Sequence, residues 1–131
     1  MNKESSLEVL KIGTDICSLA RIEKAYKKFG QRFLEKVLTE NEIEYVTSAP
    51  KHLISRLAVR FAAKEACVKA LGTGWYGVGF QEIEIGRKKT GEPLVILHNR
   101  ADQKARELGL SKFQVSLSHE KDFAVAFVVA Y

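Results

Sequence analysis

The stretch "VRFAAKEACVKALGTG", residues 59–74, constrains this chain more than any other, because it reads as a helix with no free side. Stepping about 100° per residue from Leu57 brings Leu57, Phe61, Val68 and Leu71 to within about 80° of one another, and Lys64 projects from the middle of that stripe. Glu65 lies just beside it. A second face holds only Ala58, Ala62, Ala63, Ala66 and Ala70, which suits the close approach of another backbone. A charge set into such a helix is costly unless it meets an opposite charge, a metal or a polar cleft. The sequence therefore demands partners for Lys64 and Glu65.

The rest of the chain is built to supply a core around that helix. With 131 residues, 46% of them hydrophobic and 28% charged, it is long enough to form a single domain over residues 1–131. Cys17 and Cys67 stand far apart in apolar surroundings with no metal-like spacing, so both read as reduced core residues of a cytoplasmic protein. The start "MNKESSLEVL" has no apolar signal-like segment and no stretch is long and apolar enough for a membrane span, so no membrane association is expected. Twenty-one Lys and Arg against sixteen Asp and Glu give a net charge of +5, which points to an anionic partner: nucleic acid, a nucleotide-like ligand or an acidic protein.

Along the chain, "EVLKIGTDI" alternates as a half-buried strand, with Leu10, Ile12 and Ile16 on the expected core face and Lys11, Gly13 and Asp15 pointing away from it. "SLARIEKAYKKFG" follows as a helix with Ser18 as N-cap, Leu19, Ile22, Tyr26 and Phe29 as the apolar stripe and Gly30 as the stop. Its outer face carries Arg21, Lys24, Lys27 and Lys28. "TENE" at 39–42 is a capping box for a short helix, and Pro50 can open the long helix that ends at Leu71. Beyond it come two strands in "FQEIEIGRKKTGEPLVIL", a helix "NRADQKARELG" capped by Asn99, and a closing hairpin in "FQVSLSHEKDFAVAFVVAY" around Glu120 to Asp122. The order β-α-α-α-β-β-α-β-β implies an α+β fold: a largely antiparallel sheet with helices packed against it.

No phosphate loop, dinucleotide fingerprint, paired Cys motif, zincin helix or nucleophile elbow occurs. What remains is Asp15 near a strand end, Glu65, the cations Arg60, Lys64 and Lys69 on the same helix, and His119 after "SLS". Two hard carboxylates with several cations nearby suit a Mg²⁺ that holds a phosphorylated substrate, with His119 as phosphate donor or general acid/base. Each also has a plainer reading. Asp15 can be a helix cap, Glu65 and Lys69 an i,i+4 pair, His119 a turn residue, and Arg60, Lys69 and Arg21 solvated helix charges.

Three blocks, "IGTDICSLARIEKA", "RFAAKEACVKALGTG" and "VSLSHEKDFAVAFVV", resemble in order and spacing the bacterial holo-[acyl-carrier-protein] synthases, which are 4'-phosphopantetheinyl transferases. The chain departs from that pattern where Cys17 and Ser18 fill a variable stretch and where "GWYGVGF" follows Gly-Thr-Gly. The resemblance implies the 4'-phosphopantetheinyl transferase fold and Mg²⁺-dependent transfer of the phosphopantetheine arm of coenzyme A to a serine of apo acyl carrier protein, releasing adenosine 3',5'-bisphosphate. It implies a place in fatty acid biosynthesis and a homotrimer with sites at subunit interfaces. By the same resemblance Asp15 and Glu65 are metal ligands; Arg60, Lys64, Lys69 and His119 face the phosphates of coenzyme A; and Gly72, Thr73 and Gly74 let backbone approach the nucleotide. Glu65, Lys69 and His119 are then the catalytic set, with the serine proton going to Glu65 or to a water on the metal. Arg21, Lys24, Lys28 and Arg32 form the docking face for the acidic carrier protein. A nucleic-acid module would need an aromatic and basic strand face or a basic run, which the chain lacks. A Mg²⁺-dependent nucleotide hydrolase would use water as the acceptor instead of serine.

Overall fold

The computed structural model describes residues 9–131. Its elements follow in the order β1 (Lys11–Ser18), α1 (Leu19–Phe29), α2 (Gln31–Val37), α3 (Glu40–Thr47), α4 (Leu53–Leu71), β2 (Ile83–Arg87), β3 (Pro93–Leu97), α5 (Asn99–Glu107), β4 (Phe113–His119) and β5 (Phe123–Ala130). All strand pairing is antiparallel, in a three-stranded sheet of order β1-β5-β4 and a two-stranded sheet of β2 and β3. The α+β reading holds, and the antiparallel strands are divided between two sheets.

Small residues decide how these layers meet. α4 lies against β1 and β5, where Ala58, Ala62, Ala63 and Ala66 of the helix and Ala124, Ala126, Val128 and Ala130 of β5 are all fully buried. At Gly13 the helix backbone comes so near that a Cβ would sit 1.9 Å from the Ala66 carbonyl oxygen. Only glycine fits there.

This contact reverses the expected orientation of β1. Ile12 and Ile16 were the expected core face, yet each is 62% exposed, and Leu10 is 58% exposed. Gly13, Asp15 and Cys17 occupy the helix-facing side instead. The physical reason is that hydrophobic alternation identifies two faces of a strand without saying which one a helix of alanines can approach, and the small face wins. The larger side chains Ile12, Ile16, Val125 and Phe127 are left on the outer face, in register as Ile16 opposite Val125 and Thr14 opposite Phe127.

The remaining differences are local. Gly30, at φ 58°, ends α1 as expected but is also the N-cap of α2, an added helix that the stop signal concealed. Pro50 opens a 3₁₀ turn at Pro50–His52, and α4 begins after it. Asn99 is not the cap of α5: His98 holds that position, and Asn99 takes a positive φ of 49° inside the first turn. The Ser18 cap and the Thr39–Glu42 capping box form as expected.

Gly13→Ala should be the most damaging single-methyl addition in β1, with a loss of at least about 3 kcal/mol in urea unfolding or failure to fold, because the collision is with backbone. An exposed-face control such as Ile12→Val should stay within about 1 kcal/mol.

Candidate active site

Lys64 has no access to solvent. Its Nζ donates to Glu42 Oε1 at 2.7 Å and to the Phe80 carbonyl at 2.9 Å, with side-chain exposures of 0% and 1% across the ion pair. Burial pulls the lysine down from its ordinary pKa, and the Glu42 charge opposes that pull. The same Glu42 carboxylate accepts the Thr39 N–H at 2.8 Å and the Ile85 N–H at 2.8 Å. One side chain thus caps α3, neutralises α4 and holds β2. The structure therefore takes Lys64 out of the phosphate-facing set: its charge is spent inside the fold, because a buried ammonium this close to a carboxylate has no reach toward a ligand.

Glu65, one residue on, points elsewhere. Its Oε1 accepts the Trp75 indole N–H at 3.1 Å, and it shares a cavity of about 630 Å³ with Asp15, Cys17, Ser18, Arg21, Phe33, Phe61 and Phe123. The plainer reading of Glu65 and Lys69 as an i,i+4 pair does not hold: Lys69 Nζ turns to the strand, donating to the Thr14 carbonyl at 2.9 Å and to Asp15 Oδ1 at 3.2 Å. Two carboxylates on one cavity are a donor set that fits Mg²⁺, which takes one or two carboxylates and completes its shell with water and phosphate oxygens. Among the described residues no group of three or more His, Cys, Asp or Glu is placed so that it could hold a metal ion by itself. Burial, followed by the charge of Asp15, pushes the Cys17 thiol up to about 11, so it stays protonated beside the carboxylates.

Arg60 and His119 belong to a different cleft, of about 540 Å³, lined also by Tyr45, His52, Arg56, Arg87, Glu92 and Ser116. Three guanidinium carbons surround the Tyr45 ring, at 4.0 Å for Arg56, 4.4 Å for Arg87 and 4.6 Å for Arg60. Stacked on an electron-rich face, the cations are held close together despite their repulsion. Arg60 is 4% exposed, its Nε has no hydrogen-bond partner among the described residues, and burial lowers its pKa. A concave surface with this charge suits a phosphorylated anion. Arg56 was legible as the residue one turn before Arg60, whereas Tyr45 and Arg87 come from other elements and carry no sequence signal. Among the described residues, none lines both clefts.

The other candidates scatter. Gly72 caps α4 at φ 75° and, with Thr73, borders a third recess beside Tyr76, Arg100 and Lys104, so the 72–74 turn meets neither cleft of its own chain. Lys24 and Lys28 are exposed on α1, and Arg21 sits on the wall of the acidic cavity. Arg32 lies on an apolar groove with Phe29, Phe33, Lys36, Phe61 and Phe80, which shares Phe33 and Phe61 with that cavity.

Against known proteins, the family model of the 4'-phosphopantetheinyl transferase superfamily matches residues 11–128. The chain belongs to that superfamily. Among the relatives of this transferase is the holo-[acyl-carrier-protein] synthase of Gloeobacter violaceus, 46% identical over 118 residues that cover 90% of this chain and 89% of the relative. The crystal structure of the Neisseria meningitidis holo-[acyl-carrier-protein] synthase superposes with a TM-score of 0.86 at 44% identity, covering 92% of this chain and 97% of that one. The Helicobacter pylori holo-[acyl-carrier-protein] synthase, solved in complex with coenzyme A, gives 0.80 at 37% identity over 92% and 99%.

Lys64→Met should cost about 3 to 5 kcal/mol in unfolding free energy, because it leaves the Glu42 carboxylate buried and unpaired. Adding Glu42→Gln should recover part of that loss, and a double-mutant cycle in urea measures the coupling.

Proposed function

We propose that this transferase is a holo-[acyl-carrier-protein] synthase, moving 4'-phosphopantetheine from coenzyme A to a serine of apo acyl carrier protein and releasing adenosine 3',5'-bisphosphate. The observation that carries the reading is the shared cavity. Asp15 from β1 and Glu65 from α4 line it together, and Arg21 of the basic α1 face stands on its wall. In the reaction, the serine oxygen forms a bond to the phosphorus that bears the pantetheine arm. The bond from that phosphorus to the bridging oxygen breaks, and its electron pair leaves with the bisphosphate.

Asp15 and Glu65 would hold the Mg²⁺, which supplies Lewis-acid neutralisation of the diphosphate oxygens when bound. Lys69, already at the edge of Asp15 and with a side chain 55% exposed, is free to turn its ammonium to a phosphate. Glu65, or a water beside it, takes the serine proton. Arg60 and His119, with Arg56 and Arg87, hold the phosphates of the nucleotide end in the basic cleft.

Because the acidic cavity and the basic cleft are separate in one chain, the reading includes assembly: a homotrimer in which one subunit's cavity meets its neighbour's cleft. The outer sheet face suits such an interface, since Ile12, Ile16, Phe123, Val125 and Phe127 are 38–62% exposed and lie beside polar Gln114, Ser116 and Ser118 of β4. Arg21, Lys24, Lys28 and Arg32 form the carrier-protein face, exposed along α1 and α2. The two free thiols suit a cytoplasmic enzyme serving fatty acid biosynthesis.

Intact mass of apo carrier protein after incubation with coenzyme A and Mg²⁺ tests the reading, with the gain of one phosphopantetheine as the expected result. Coenzyme A cleavage without that gain would indicate a hydrolase and contradict it. In the same assay Arg21→Glu should raise the carrier-protein concentration for half-maximal rate about tenfold, equivalent to about 1.4 kcal/mol, with the coenzyme A dependence unchanged.

A further inference from the structure

One oxygen of the Glu65 carboxylate is already held. The Trp75 indole N–H donates to Oε1 at 3.1 Å, and an indole nitrogen can only donate. The ring that makes this contact has little freedom of its own. It stacks on Phe80 with centroids 3.9 Å apart and planes at 26°, and Phe80 stacks on Phe61 at 5.6 Å and 27°. Phe80 is tethered in turn, because its carbonyl accepts from buried Lys64 at 2.9 Å. Positive φ values of 75° at Gly72 and 57° at Gly74 turn the chain after α4, so that Trp75 comes back over the helix it has just left.

A free glutamate rotates broadly about its last torsion, so its oxygens present no fixed direction. Fastening Oε1 from one side fixes the plane of the carboxylate and aims Oε2, which has no hydrogen-bond partner among the described residues. The donor is also neutral. The cation Lys69 at Asp15 would compete with a metal for the carboxylate, whereas the indole orients Glu65 without adding positive charge.

We propose that Trp75 is a positioning residue for Glu65: its stacked indole holds Oε1 so that Oε2 is presented to a divalent cation. This rests on the reading of Asp15 and Glu65 as the metal ligands. Buried Lys64 then contributes to the site without touching a ligand, through Phe80 and the indole to the carboxylate beside it in the sequence.

The test uses the full chain with saturating coenzyme A and Mn²⁺ as the probe, counting free ion by its paramagnetic resonance signal. Trp75→Phe keeps an aromatic ring against Phe80 and deletes the N–H. It should weaken Mn²⁺ binding at least about tenfold, the usual scale for removing a partner of a metal-ligating carboxylate. Coenzyme A binding without metal, and the thermal midpoint, should match the wild type. Trp75 is the chain's one tryptophan, so its emission should also shift on Mg²⁺ titration in the wild type and not in Glu65→Gln. If the phenylalanine variant fails to fold, replacement of Trp75 by benzothienylalanine, which keeps the shape and lacks the N–H, takes its place with the same expected loss. Mn²⁺ affinity within twofold of wild type for the donor-less variant, while Glu65→Gln abolishes binding, would overturn the role of Trp75 alone. Unchanged binding in Glu65→Gln would overturn the metal reading and this proposal with it.

Discussion

The buried pair of Lys64 and Glu42 fixes the rotation of α4, and everything chemical in the molecule follows from that rotation. A lysine whose ammonium sits 2.7 Å from a carboxylate, with both side chains essentially unexposed, cannot swing out without leaving a charge stranded in the core. With Lys64 pinned inward, the helical advance of about 100° per residue sets Glu65 a quarter-turn round, Lys69 a further 40° or so beyond it, and Arg60 roughly opposite Lys69. The Glu65 carboxylate and Lys69 emerge beside β1. The arginine emerges at Tyr45.

Glu42 makes this arrangement possible by answering to several elements at once. It belongs to a local capping box with Thr39, to a helix partner 22 residues away and to the backbone of β2. A single pair would repay little of its desolvation. A carboxylate that also accepts from two backbone N–H groups recovers more of it, because charge-assisted hydrogen bonds are stronger than neutral ones.

Much of this was legible in the sequence, for reasons that can be separated. Caps and stops at Ser18, Thr39 and Gly30 are local chemistry and form as read. The need for a partner at Lys64 was legible because a charge on an apolar stripe is anomalous, but the identity of that partner was not, since Glu42 reads fully as a capping-box residue. The outward turn of Ile12 and Ile16 could not be read from alternation, because the deciding fact is the backbone approach at Gly13. Likewise Tyr45 and Arg87 reach the basic cleft only through tertiary folding. Asp15, Glu65, Arg60 and His119 stood out in the sequence as the titratable residues left once the standard motifs were excluded, and the resemblance supplied their expected roles; the division of Glu65 and Arg60 between two clefts is a product of helix rotation.

That division is the central claim: on the proposed reading, a neighbouring subunit's basic cleft completes the acidic cavity. Complementation tests it directly. Glu65→Gln lacks a carboxylate of the acidic cavity, and the double variant Arg56→Ala/His119→Ala disables the basic cleft. Co-expressed with different tags and purified through both, mixed trimers should recover activity well above either parent, approaching about one third of wild type, because a ring of three that holds both chains forms one intact site in three. Activity no greater than the sum of the two parents, in mixed assemblies shown to contain both chains, would place the whole site within one subunit and contradict the account.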